Sequence, residues 1–99
     1  MSYIEYNKPK KVHFTGIGGI SMSGFAELLM DKGFKVTGSD RKKTDITTAL
    51  ESKGATIYYG EQRAANVAPD TELLVFTAAV RPDNPELVFA KKHGIPCIE

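Results

Sequence analysis

The sequence predicts an α/β fold, a Rossmann-like parallel sheet of about five strands with helices on both faces. Two observations support this prediction. Short apolar runs alternate with amphipathic segments along the 99 residues, which is typical of parallel strands joined by covering helices. The first apolar run also leads through a glycine-rich turn directly into a helix, as in the first strand–helix unit of such sheets.

The first two strands and the helix between them follow from apolar runs and a terminating glycine. We expect the first strand over Lys11–Thr15 and the second over Lys35–Gly38. The first helix is expected from about Ile20 to Lys32, because apolar residues recur there at helical spacing and Gly33 follows as a stop. Its predicted buried face comprises Met22, Phe25, Ala26 and Leu29.

The middle of the chain predicts a second helix, a third strand and a short helical piece. The helix begins with Thr44 or Asp45 as the capping residue and stops at Gly54. The third strand covers Thr56–Tyr59, and a short helical piece is expected around 62–67. The residues of the second helix that we expect to be buried are Ile46, Ala49 and Leu50.

The last third of the chain predicts a central strand, a helix and a final strand. Leu73–Thr77 is the most continuously apolar run, so we expect a fourth strand at the centre of the sheet, buried on both faces. Asn84 as cap and Pro85 at the first helical position begin the last helix. Gly94 ends that helix, and Ile95–Ile98 begins a fifth strand.

Composition argues against several classes of protein. With 13 basic and 12 acidic residues, the chain has no overall charge that would attract nucleic acid or an anionic membrane. The single cysteine, Cys97, excludes an internal disulfide and indicates a reducing compartment. Residues 1–10 form a polar tail without an apolar signal core, so we predict a cytoplasmic protein. Because the sequence stops within the fifth strand, residues 11–99 are expected to be the N-terminal domain of a longer protein.

The turn between the first strand and the first helix is the candidate binding site. Gly16 and Gly18 match the first two positions of the fingerprint Gly-x-Gly-x-x-Gly, and Ser21 stands at the third. Such a turn exposes backbone N–H groups at the positive end of a helix, where a phosphate binds. Asp40 follows 24 residues after Gly16, where an acid accepts hydrogen bonds from a ribose, although an ion pair with Arg41 is an equal explanation. The sequence therefore predicts a nucleotide held by its phosphates.

Catalytic groups are not recognisable in the chain. The motif Gly-x-x-x-x-Gly-Lys-Ser/Thr, which holds the phosphates of ATP, is missing from the sequence. His13 is expected to be a strand residue rather than a base, and no metal-ligand spacing is present. Ser21 and Ser23 lack a recognisable base and orienting group. We therefore predict a binding domain without catalytic or metal-binding residues.

Four segments, in order and at the expected spacing, are similar to the N-terminal domain of the Mur ligases. They are Val12–Gly24, Val36–Asp40, Phe76–Val80 and Asp83–Leu87 with the later Gly94–Pro96. The resemblance covers nearly the whole chain from Lys11 onward. It implies a domain that binds the UDP portion of UDP-N-acetylmuramate. It also implies that the full-length enzyme is an ATP- and Mg-dependent ligase of peptidoglycan synthesis. There the muramate carboxylate becomes an acyl phosphate, which the amine of L-alanine attacks.

The resemblance further implies which residues meet the substrate. Ser39 and Asp40 would contact the ribose or uracil, and Thr77 and Ala78 would line the crevice at the carboxyl ends of the strands. Two positions depart from the family pattern: Ser21 replaces a usual glycine, and Glu61 stands where a histidine is frequent. The residues expected to wrap the diphosphate are Gly16, Ile17, Gly18, Gly19, Ile20, Ser21 and Ser23.

Other functions remain open from the sequence. An NAD-binding domain of an oxidoreductase shares the fold and the acid at Asp40. The spacing of Gly16–Gly19 with Ser21, and the missing second mononucleotide half, argue against it. A regulatory ligand-sensing domain would share the fold and the loop but would lack an ATP site beyond Glu99. A sister ligase that attaches recovered peptides to UDP-N-acetylmuramate usually has a different glycine loop.

Overall fold

Five parallel strands form the centre of the molecule in the computed structural model, which describes residues 10–99. The strand order is β3-β2-β1-β4-β5, the doubly wound arrangement of a Rossmann-like sheet, so the predicted fold class is confirmed. Apart from Lys10, the predicted polar tail lies outside the described residues. The strands are β1 (Lys11–Thr15), β2 (Lys35–Asp40), β3 (Thr56–Tyr59), β4 (Leu73–Val75) and β5 (Cys97–Ile98). The helices are α1 (Ile20–Asp31), α2 (Asp45–Ser52) and α3 (Pro85–Lys92), with a 3-10 helix over Ala64–Asn66.

Two apolar cores cover the two faces of the sheet. On one face, Phe14 and Ile17 are fully buried and pack with Ala26 of α1 and Leu50 of α2. On the other face, Leu74 is fully buried in a second core. The second core consists of Val67, Leu74, Leu87, Ala90 and Ile95. Helices therefore lie on both faces, as predicted. Within residues 10–99, no helix is long and apolar enough to cross a lipid bilayer.

The predicted inner face of α1 is only partly correct. Met22 and Ala26 are buried, and Leu29 packs against the core at its edge. Phe25 remains 36% exposed, because its ring reaches the core only by an edge-on contact with Phe14, with 5.7 Å between ring centroids.

The predicted inner face of α2 is wrong at two of its three positions. Leu50 is buried, whereas Ile46 and Ala49 are exposed. Thr47 is buried instead: it lies three residues before Leu50 on the same face of the helix, and its methyl group lies beside Gly18 of the glycine turn.

The position of β4 differs from the prediction. The central strand is β1, and β4 lies between β1 and β5. Apolar continuity indicates burial on both faces, which every interior strand shares, so it does not specify the centre. β4 also ends at Val75 rather than Thr77, because the short β5 pairs with it only at Leu74 and Val75. β2, by contrast, extends to Asp40, because β3 continues the pairing there.

Candidate functional site

A crevice opens at the carboxyl ends of the strands, beside the switch point of the sheet. The chain leaves β1 toward β2 on one side and later returns to β4 on the other side, which is where doubly wound sheets bind ligands. The crevice has a volume of about 560 Å³. A neighbouring hollow of about 550 Å³ is lined by Gly60 and Glu61 and shares part of the crevice wall. Residues that line the crevice include Gly16, Asp40, Arg41, Thr77, Arg81 and Asn84.

The structure brings only some of the predicted site residues to this crevice. Gly16, Asp40 and Thr77 line it, whereas Ala79 rather than Ala78 forms the wall after β4. Ser39 lies beneath the crevice and is 1% exposed.

The two predicted serines of α1 lie at the start of that helix. Ser21 is exposed in the first turn. Ser23 faces a groove between α1 and α2, and its hydroxyl donates to the carbonyl of Ile20 at 3.0 Å. Ser23 is therefore not part of the crevice wall.

Four N–H groups of the glycine turn are used within the protein. Those of Gly16 and Ile17 both donate to the carbonyl oxygen of Ser39 at 2.9 Å. That of Gly18 donates to Oδ2 of Asp40 at 2.7 Å, and that of Gly19 to the carbonyl of Gly16 at 3.3 Å. Gly16 has a φ of 82°, a conformation that favours glycine and allows this tight turn. These four groups shape the turn and are not free to bind an anion.

The free donors lie one step further along, in the first turn of α1. Among the hydrogen bonds of residues 10–99, none uses the N–H groups of Ile20, Ser21 or Met22. Gly19 is the N-cap residue and has no side chain that could accept from them. Three unpaired N–H groups at the positive end of a 12-residue helix are a suitable site for a phosphate.

Asp40 has a structural role in this turn. Its two carboxylate oxygens accept from the backbone N–H groups of Gly18 and Arg41, at 2.7 and 2.8 Å. A Cβ atom at Gly18 would lie 2.6 Å from Oδ2 of Asp40, so only glycine allows this approach. The contact of Asp40 with a ribose or uracil stays a prediction. It would use the lone pairs of the carboxylate that these two hydrogen bonds leave free.

A buried polar cluster lies beneath the crevice, centred on Glu86 of α3. Oε1 of Glu86 accepts hydrogen bonds from His13 Nε2 at 2.8 Å, Thr15 Oγ1 at 2.8 Å and Ser39 Oγ at 2.9 Å. Its Oε2 accepts from Asn66 Nδ2 at 2.9 Å. Glu86, His13 and Thr15 have no solvent exposure. These five residues, called the Glu86 cluster below, join β1, β2, the 3-10 helix and α3.

The Glu86 cluster favours an ionised carboxylate. Burial opposes ionisation, but hydrogen bonds from His13 and Asn66 outweigh it and hold the pKa of Glu86 below its ordinary value. An ionised carboxylate only accepts, so His13 Nε2 carries a proton and donates. His13 Nδ1 lies 2.8 Å from Oγ1 of Thr37, which fixes the orientation of the ring.

The predictions from the sequence do not include this cluster. His13 was expected only as a strand residue, and Glu86 was an acid in the first turn of a helix, 73 positions away. One signal was available: His13 and Thr15 alternate with apolar residues in β1, which places both on the same face of a buried strand. Buried polar side chains need partners, so this alternation called for a partner elsewhere.

Known proteins are similar to this chain in sequence. Residues 11–99 match the model of the Mur ligase family, catalytic domain. The UDP-N-acetylmuramate–L-alanine ligase of Lachnoclostridium phytofermentans is 52% identical over 99 residues, which are 100% of this chain and 21% of that protein. The chain thus spans about a fifth of the length of the curated relatives it matches.

Two solved structures are similar in fold and in sequence. The UDP-N-acetylmuramate–alanine ligase of Thermotoga maritima superposes with a TM-score of 0.82 at 40% identity, over 89% of this chain and 20% of that one. The UDP-N-acetylmuramate:L-alanyl-γ-D-glutamyl-meso-diaminopimelate ligase of Neisseria meningitides gives a TM-score of 0.80 at 28% identity, over 92% of this chain and 28% of that one.

Proposed function

The chain belongs to the Mur ligase family, and from this premise we propose that it binds UDP-N-acetylmuramate through the uridine diphosphate portion. The observation that supports this most strongly is the set of three free N–H groups, of Ile20, Ser21 and Met22, at the start of α1, which directly follows the turn whose Gly16 lines the crevice. A diphosphate supplies the acceptors that these donors lack.

The proposed diphosphate site combines backbone donors with positive charge. Gly16 to Gly19 let the ligand approach without side-chain obstruction, while their own N–H groups hold the turn. Arg41 and Arg81 on the crevice wall add positive charge opposite the phosphates. Arg41 also lines the neighbouring hollow, which we assign to the ribose and uracil because Glu61 would repel a diphosphate there.

For the longer protein we propose the reaction that the relative's name states, the joining of L-alanine to UDP-N-acetylmuramate in peptidoglycan synthesis. ATP and magnesium would activate the muramate carboxylate for attack by the amine. We assign neither of them to a residue of this chain, whose sequence lacks the Gly-x-x-x-x-Gly-Lys-Ser/Thr motif. The proposed location is the cytoplasm.

Calorimetric titration of the chain with UDP-N-acetylmuramate, UDP and NAD, at matched ionic strength, tests the proposed binding. Both uridine ligands are expected to bind and NAD is not, because NAD also carries a diphosphate but has no uracil for the hollow that we assign to that base. Binding of NAD without any response to UDP would refute the proposal and favour an oxidoreductase domain.

A further inference from the structure

We propose that Glu86 is a positioning residue, which holds the glycine turn in its binding conformation from beneath the crevice. Its role for UDP rests on the proposed function. Its role in the turn rests only on the geometry of the Glu86 cluster. Glu86 is fully buried, so it acts through its neighbours and does not touch a ligand.

A short chain of hydrogen bonds links Glu86 to the glycine turn. Oε1 of Glu86 accepts from the hydroxyl of Ser39, and the backbone carbonyl of Ser39 accepts from the N–H groups of Gly16 and Ile17. Oε1 also accepts from Thr15, the residue directly before the turn. Glu86 therefore holds the end of β1, from which the glycine turn leaves, and the end of β2, where the carbonyl of Ser39 binds the turn.

A second set of hydrogen bonds connects Glu86 to the wall of the crevice. Glu86 is the second residue of α3, and its N–H donates to Oδ1 of the capping residue Asn84 at 2.9 Å. Asn84 lines the crevice and hydrogen-bonds through Nδ2 to Oε1 of Gln62 on the same wall. A shift of Glu86 would move this wall and the turn together.

The donors around position 86 require a carboxylate there. One oxygen receives three donors and the other receives Asn66, which only a group without hydrogens of its own accommodates. In Glu86→Gln, an amide oxygen that keeps the three donors leaves its NH2 group facing the NH2 group of Asn66. Donor then opposes donor unless the amide of Asn66 turns over, and in either case a neutral oxygen replaces the carboxylate, which weakens the three hydrogen bonds that it accepts.

The experiment compares Glu86→Gln with Glu72→Gln, a matched control at an exposed position of the chain. UDP affinity is measured by calorimetry at a temperature where circular dichroism finds both variants folded. Hydrogen exchange of individual amides is measured by NMR without ligand. Glu86→Gln is expected to weaken UDP binding about tenfold and to accelerate exchange at Gly16 and Ile17 by a similar factor. Glu72→Gln should change neither.

A rescue variant separates positioning from general stability. In Glu86→Gln with Asn66→Asp, the new carboxylate at position 66 accepts from the NH2 group at position 86, so slow exchange at Gly16 and Ile17 should return in part. If Glu86→Gln is unfolded, Ser39→Ala removes the hydrogen bond that ties Glu86 to the residue whose carbonyl holds the turn, and it should give the same accelerated exchange there.

Three results would overturn the inference. The first is unchanged exchange at Gly16 and Ile17 in a folded Glu86→Gln. The second is equal acceleration at Ala26 in the interior of α1, which would indicate a loss of global stability alone. The third is faster exchange at the turn with unaltered UDP affinity. Failure of the wild-type chain to bind UDP would instead refute the proposed function, and exchange would then decide the role of Glu86 in the turn.

Discussion

At the scale of single residues, the site depends on what Gly19 lacks. A serine or aspartate at the N-cap would accept from one of the first N–H groups of α1, whereas Gly19 has no side chain and leaves them free. The side chain of Ile20, the first helical residue, is 84% exposed and has little part in packing. The backbone of Ile20 can therefore be tested almost independently of its side chain.

Ile20→Pro should weaken UDP binding about tenfold or more, because proline removes one N–H group that we assign to the diphosphate. Proline is tolerated at the first position of a helix, and Gly19, with φ −65° and ψ 153°, already has the backbone conformation that a following proline requires. Ile20→Ala, which keeps the N–H group, serves as the control and should bind as the wild type does. Calorimetry that finds the same affinity for both variants would remove Ile20 from the site.

At the scale of elements, the glycine turn is packed tightly on β2. A Cβ atom at Gly38 would lie 2.7 Å from both Cβ and Cδ1 of Ile17, which is fully buried. Because Cβ of Ile17 cannot move without its backbone, any side chain at position 38 pushes the turn away from the strand. This close approach gives Gly38 a packing role that is separate from backbone flexibility.

Gly38→Ala should therefore destabilise the chain by about 1–3 kcal/mol, as overpacked core positions do. Gly24→Ala is the matched control: a Cβ there meets no atom within 4 Å, and alanine in a helix should stabilise by about 0.5–1 kcal/mol. Urea unfolding of both variants measures the difference. A Gly38→Ala chain as stable as the wild type would show that the turn can shift without cost.

At the scale of the whole molecule, the Glu86 cluster joins the first half of the chain to the second. It connects β1 and β2 with the 3-10 helix and α3, so its hydrogen bonds form only when these elements are assembled. Because the pKa of Glu86 is lower in the folded chain than its ordinary value of 4.5, the ionised carboxylate stabilises the fold. That contribution is complete above about pH 4.5 and is lost as the pH falls through the folded pKa.

Urea unfolding of the wild type and Glu86→Gln between pH 7 and about pH 3 should show this dependence. The wild type should be the more stable at neutral pH. The gap between the two should narrow below about pH 4.5, where Glu86 takes up a proton in the unfolded chain before it does so in the folded chain. Asp70, whose pKa a hydrogen bond from Lys11 lowers, is present in both chains and cancels in the comparison. A gap independent of pH would mean that the pKa of Glu86 is the same in the folded and the unfolded chain, and a gap that widens below about pH 4.5 would mean that folding keeps the carboxyl protonated.

Features that depend on neighbouring residues could be predicted from the sequence. The bounds of β1 and β3 and the cap of α3 at Asn84 agree with the structure, because apolar patterns, caps and terminal glycines act within a few residues. The buried faces of α1 and α2 were less predictable. There the edge-on contact of Phe25 and the burial of Thr47 beside the glycine turn override the periodicity.

The sequence by itself determined the fold class and the edge of the sheet at which the glycine turn lies. Only the tertiary structure decided which N–H groups of that turn are free, since Ser39 and Asp40 on β2 accept hydrogen bonds from those of Gly16, Ile17 and Gly18. It also decided that Glu86 meets His13 across 73 positions. The physical reason is that local patterns choose strands and helices. The hydrogen-bond partner of a buried polar group depends instead on which strands and helices lie next to each other in the folded molecule.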